Sequence, residues 1–213
     1  THQTQPRMPP RIPLLPVLPL AAMLTMLPLV GGCAATPGHG DADRTNYRTI
    51  QTDPTRNPEA ARRFNDRGLE HLEAGDLDAA EKDFRKALAA DVEFGPAHNN
   101  LGKVLYLKQD WYQAAWEFEF AAKLMPRRSE PANNLGLVLE QAAELDRAVE
   151  QYRLAVNRAP DNVVYQANLA RALVKRGDRT REVKLLLEAI LEADTRTDWL
   201  IWARQRLDAM AHL

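Results

Sequence analysis

Residues 111–122 read WYQAAWEFEFAA, and their apolar positions divide between two faces of a helix. At about 100° per residue, Trp111, Ala114, Ala115, Phe118, Ala121 and Ala122 fall together, as a core-facing stripe would. Tyr112, Trp116 and Phe120 fall opposite, at i, i+4 and i+8. Residues 197–211 carry another apolar stripe, Leu200, Ala203, Leu207 and Met210. Short polar breaks punctuate the chain: AGDLD at 74–78, KQDW at 108–111 and RGDR at 176–179. Each holds an Asp suited to capping the next helix. Asn57-Pro58 reads as a helix start, with Asn as the cap and Pro in the first turn. These signals predict an all-α chain with helix pairs over 58–74/77–90, 95–108/111–124, 129–142/145–158 and 163–176/179–193. A ninth helix is expected over 197–211.

The pairs repeat. Gly68, Gly102, Gly136 and Ala170 are 34 residues apart, as are Phe84, Phe118, Tyr152 and Leu186, and Ala87, Ala121, Ala155 and Ala189. Ala80, Ala114 and Ala148 keep the same step until Glu182 breaks it. Pro126 and Pro160 close two units. A glycine inside a helix costs about 1 kcal/mol relative to alanine, so three in register need a reason. Close approach of a neighbouring helix supplies one, and the small alanine column faces the same crossing. The period and these columns resemble the tetratricopeptide repeat (TPR) over residues 61–194. The resemblance implies a right-handed superhelical TPR solenoid of four helix pairs, 58–194. Residues 195–213 would cap its open end. The end units deviate: Arg67 stands where the others have Leu, and Glu182 replaces the small residue.

NNLG occurs at 99–102 and 133–136, with ANLA at 167–170. Leu and Gly serve packing, whereas Asn is a mediocre helix former that disfavours burial. Asn65, Asn99 and Asn133 form one column; Asp66, Asn100, Asn134 and Asn168 form the next. In TPR arrays the first helices line the concave face. The resemblance therefore implies an asparagine ladder offering donor and acceptor to a peptide backbone. Lys103, Arg171 and Lys175 stand beside it and favour an acidic segment. The bland alternative is that the Asn side chains bond only to neighbouring turns or water. The residues of a chaperone-tail carboxylate clamp are not matched: Asn65 and Leu69 stand where Lys and Asn are wanted.

Tyr112, Trp116 and Phe120 form a second candidate face, because the sister units carry Asp78, Lys82 and Lys86, or Asp146, Glu150 and Leu154, in those slots. An apolar stripe among charges suggests a partner or homodimer surface. The alternative is that the leading segment or the capping helix covers it.

The first 33 residues read as an address. Arg7 and Arg11 precede an uncharged run from Ile12 to Val30. Pro13, Pro16, Pro19 and Pro28 interrupt that run, which favours a cleaved signal (1–32) over a permanent span. VGGC at 30–33 resembles a bacterial lipobox, although Val30 replaces the usual leucine. The resemblance implies cleavage before Cys33 and acylation there. Each buried acyl CH₂ contributes about 0.8 kcal/mol to membrane attachment. Ordinary cleavage after Ala35 would instead release a soluble exported protein. Residues 34–57, poor in apolar side chains, read as a tether after the lipidated Cys33. Ala34, in place of Asp, resembles the usual sorting pattern of Gram-negative lipoproteins, which would imply the outer membrane, facing the periplasm.

Charge and candidate chemistry narrow the function. The chain has 28 Lys+Arg against 29 Asp+Glu and no basic stripe, which argues against nucleic acid as a partner. The single cysteine excludes an internal disulfide. His71 and His98 occupy packing slots, and no phosphate loop, nucleophile elbow or zinc-helix motif occurs. Acidic residues alternate with basic ones as solvated faces. No cofactor, metal or catalysis is expected. The chain reads as an exported, lipid-anchored scaffold that binds a protein or peptide in an Asn-lined groove. Small bacterial TPR lipoproteins that it resembles assist pilus, secretion or wall-synthesis complexes. The alternatives are self-association through the aromatic face or, from the two histidines near one repeat interface, a metal-binding or enzymatic protein.

Overall fold

The computed structural model describes residues 56–211, which fall within the unit Asp53–Leu213. The segment 1–32, Cys33 and nearly all of the tether lie outside the described residues. Among the described residues nine helices follow in order: α1 (Pro58–Glu73), α2 (Leu77–Ala90), α3 (Gly95–Leu107), α4 (Trp111–Leu124), α5 (Glu130–Gln141), α6 (Leu145–Arg158), α7 (Val163–Arg176), α8 (Arg181–Ala193) and α9 (Thr197–Ala211). Among the described residues there is no strand, and no helix is long and apolar enough to cross a membrane.

Most helix starts follow the capping chemistry. Asn57 accepts from the Ala60 amide at 2.9 Å, Asp76 from Ala79 at 3.0 Å and Asp110 from Gln113 at 3.2 Å. The start of α8 differs from expectation. Asp178 is held by Arg176 at 2.5 Å, and Thr180 takes the cap instead, accepting from Val183 at 3.4 Å. A strong local ion pair removes the carboxylate from the capping position.

Each helix packs on the next. The first helices of successive pairs, α1, α3, α5 and α7, also touch one another, so they form the inner row of the solenoid. The second helices, α2, α4, α6 and α8, form the outer row, and α9 packs on α8. A Cβ on Gly68, Gly102 or Gly136 would stand 2.6–2.7 Å from a ring carbon of Phe84, Phe118 or Tyr152. The glycine column is thus set by an aromatic ring from the paired helix. Ala80, Ala114 and Ala148 are fully buried alongside.

A further column appears where each first helix ends. Gly75, Gln109, Ala143 and Gly177 are 34 apart, and all have positive φ, at 79, 64, 60 and 98°. This left-handed turn suits glycine and costs an L-residue about 1–2 kcal/mol. Nothing crowds Gly75 or Gly177, so the backbone angle alone sets the preference there. Ala143→Gly should therefore stabilise the chain, by about 0.5–1 kcal/mol after the added freedom of the unfolded state is subtracted. A urea midpoint that fails to rise would contradict this.

Candidate interaction surfaces

The inner row contains both asparagine columns, and the structure corrects their expected openness. Asn65, Asn99, Asn100, Asn133 and Asn168 are each at most 7% exposed. Their amides bond across the repeat boundary: Asn100 Nδ2 donates to Asn65 Oδ1 at 3.0 Å, Asn134 to Asn99 at 3.0 Å and Asn168 to Asn133 at 2.9 Å. The ladder is real, but its rungs join repeats to each other. Burial is tolerable because each rung pairs a donor with an acceptor. Asn134 is half-buried and Asp66 is exposed.

The open part of the inner surface is the next column. Leu69, Lys103, Leu137 and Arg171 are 34 apart, and all four are half-buried. Apolar and cationic side chains alternate along it. Lys103 Nζ lies 3.5 Å from Asn100 Oδ1. Burial lowers the Lys103 ammonium, and the Glu130 charge offsets part of that effect. Leu69 and Leu137 carry no chemistry individually, but their register with Lys103 and Arg171 was visible in the 34-residue period.

Arg171 and Lys175 are committed to a partner within the fold. Arg171 donates to both oxygens of Glu140, at 2.9 and 2.8 Å, Lys175 Nζ donates at 2.5 Å and Tyr152 Oη at 2.9 Å. The Glu140 side chain is 3% exposed. Burial would raise this carboxyl, but the bonds from Arg171 and Lys175 outweigh it and hold Glu140 below the usual carboxylate range. Burial, then the Glu140 charge, push the Tyr152 phenol well up. Two cations on one carboxylate leave an excess positive charge at the surface, where Lys175 is exposed. Arg171 also lies 5.3 Å from the Trp199 ring centroid, with Arg196 4.8 Å from the same ring. Not all acidic side chains are solvated faces: Asp83, 4% exposed, is likewise buried and bound by Arg67 at 2.5 Å.

On the outer row, Tyr112 is 76% and Trp116 52% exposed. Phe120 is half-buried and stacks on Trp116, centroids 5.2 Å apart. Beneath them lies His98, 4.8 Å from Phe120, its Nε2 donating to the Val92 carbonyl at 2.8 Å and its Nδ1 2.6 Å from Glu117. His71 instead faces Asp83 at 3.5 Å. The capping helix α9 packs on α8 and leaves these rings open among the described residues.

The family described as Tetratricopeptide repeat matches residues 61–91 and 130–162, which are the first and third helix pairs. Solved structures share the architecture. One reported as a functional characterization of Pseudomonas aeruginosa pilF has a TM-score of 0.60 at 19% identity, covering 74% of each chain. MamA has a TM-score of 0.58 at 21% identity, covering 66% of this chain and 79% of that one. The first TPR of Spaghetti (RPAP3), bound to an HSP90 peptide, has a TM-score of 0.57 at 15% identity, covering 58% and 98%. No curated protein matches the chain in sequence. The first and third helix pairs thus match the tetratricopeptide repeat, and the described residues have the fold of a TPR solenoid. Proteins of this class are in general interaction scaffolds and not catalysts.

Proposed function

We propose that this chain is an exported, lipid-anchored TPR scaffold that holds a segment of a partner protein along its inner row. The anchor would be Cys33, and the setting the cell envelope, with the outer membrane facing the periplasm as the site in a Gram-negative cell. The signal-like start and the VGGC sequence support export and acylation. The observation that carries the binding reading is the half-exposed column Leu69, Lys103, Leu137 and Arg171, with Asn134 beside it. Its alternation suits an extended segment whose apolar and acidic side chains also alternate. Lys103 favours a carboxylate because it is partly desolvated and only in part offset by the Glu130 charge. The bound segment would contribute to assembling an envelope complex such as a pilus, secretion or wall-synthesis machine.

The test is in-cell crosslinking followed by mass spectrometry, with native protein beside Lys103→Glu and Leu137→Asp. Both variants are first checked for an unchanged thermal midpoint. A partner captured by the native chain and lost at least tenfold in the folded variants supports the groove. Undiminished capture of every partner by both variants sinks it. Labelling with a palmitate analogue tests the anchor separately, and Cys33→Ser should abolish it.

A further inference from the structure

We propose that the outer face of α4 is a two-fold interface between two copies of this chain, with Lys82 of each copy set against Glu150 of the other. The centre of the face is aromatic and rigid. Trp116 and Phe120 stack on each other, and His98 supports Phe120 from below while anchored at both ring nitrogens. Rings of this kind, fixed before contact and open to solvent, are the side chains that dominate binding energy at interfaces.

The repeat itself identifies the occupant. Positions 82, 116 and 150 are equivalent, 34 residues apart, on the outer helices α2, α4 and α6. A two-fold axis running along α4 exchanges the two flanks. It places each Trp116 against its mate and brings position 82 of one copy opposite position 150 of the other. Such an isologous contact needs opposite charges at the two exchanged positions. Lys82 and Glu150 meet that need. Both are exposed, and among the described residues neither forms an ion pair within its own chain. The result is an aromatic centre flanked by two symmetry-related ion pairs.

The adjacent turns are compatible with this arrangement. Asp78 would come opposite Asp146, but Asp78 is already paired with Lys108 at 2.6 Å and Asp146 with Arg176 at 3.1 Å. Lys86 would come opposite Leu154, whose side chain is exposed and can take the methylene stem of the lysine. A face of three rings per copy is small, so the dimer belongs to the weak, concentration-dependent class. The proposal does not depend on the inner groove.

Sedimentation velocity on the full chain, purified in mild detergent over a concentration series, tests the interface. The native chain should shift reversibly from monomer to dimer. Trp116→Ser should abolish the shift while leaving the helical circular dichroism unchanged. Lys82→Glu and Glu150→Lys should each weaken association roughly tenfold. The double reversal should restore it, because the two exchanged charges simply trade places. A chain that stays monomeric throughout overturns the proposal. So does a dimer indifferent to Trp116→Ser, or a double reversal weaker than either single change. Binding of the aromatic face to anionic vesicles by a chain that remains monomeric would also overturn it, in favour of a lipid surface.

Discussion

Gly102→Val should lower the stability of the chain by about 3 kcal/mol, the upper part of the range for overpacked sites. The added Cβ alone would stand 2.7 Å from Phe118 Cε1, and the two methyl groups of valine extend further into the same ring. Phe118 is 1% exposed, so it has no solvent into which to retreat. Valine is a better helix former than glycine, but that gain is well under 1 kcal/mol and cannot offset the clash. The fourth pair shows how the conflict is relieved. There Ala170 stands in the glycine column and Leu186 in the aromatic one. Gly102→Ala combined with Phe118→Leu should therefore cost less than the two single changes together. Urea unfolding followed by circular dichroism gives all the values. A loss below about 1 kcal/mol for Gly102→Val would mean that the ring is free to shift.

Glu140→Ala should be comparably damaging, at about 3 kcal/mol, because it strands groups on two other helices, α6 and α7. Arg171 and the Tyr152 hydroxyl lose their acceptor in a site that is 3% exposed at the carboxylate. Lys175 is half-exposed and contributes little of the loss. The same cluster gives a pH dependence of definite sign. Glu140 is held below its ordinary value in the folded chain, so its contribution is complete above the unfolded pKa of about 4.3. It is lost as the pH falls through the lower folded value. Asp83, Asp178 and Asp194 are lowered too, by hydrogen bonds from Arg67, Arg176 and Arg196, and share the acid window. Stability measured from roughly pH 6 down to pH 3 should fall more steeply for the native chain than for Glu140→Gln. Parallel slopes would remove Glu140 from the account of acid sensitivity.

The helices were legible because one pattern states them four times. Column spacing placed their ends within about two residues, the ordinary uncertainty of a helix boundary. Thr180 was the exception, since only the structure shows Asp178 drawn away by Arg176. The glycine column was legible as crowding, but its cause, a ring on the paired helix, was not. The asparagines show a different limit. Alignment at 34 residues groups Asn100 with Asn134, whereas the hydrogen bonds run over 35, from Asn100 to Asn65 and from Asn134 to Asn99. Their pairing falls between the columns, so they looked like unpartnered amides available to a ligand. Glu140 was hidden for a related reason. Its partners lie 31 and 35 residues away on α7, and locally it resembles any other charge near a helix end. The exposure of Tyr112 and Trp116, by contrast, followed directly from the opposite face of a stripe already assigned to the core.

The asparagine rungs bear on how such a chain can change length. Every rung joins one unit to the unit before it by the same 35-residue step. Excising a whole 34-residue unit from the middle would bring Asn134 to the place of Asn100, facing Asn65. The seam would close with the same bond it had lost, and insertion of a unit would be equally silent. The carboxyl-terminal side offers no such freedom. Ala167 stands where the earlier units place their acceptor, so a further unit would arrive with a donor and find no oxygen to receive it. Growth and loss by recombination are thus open between the pairs and closed at the last one.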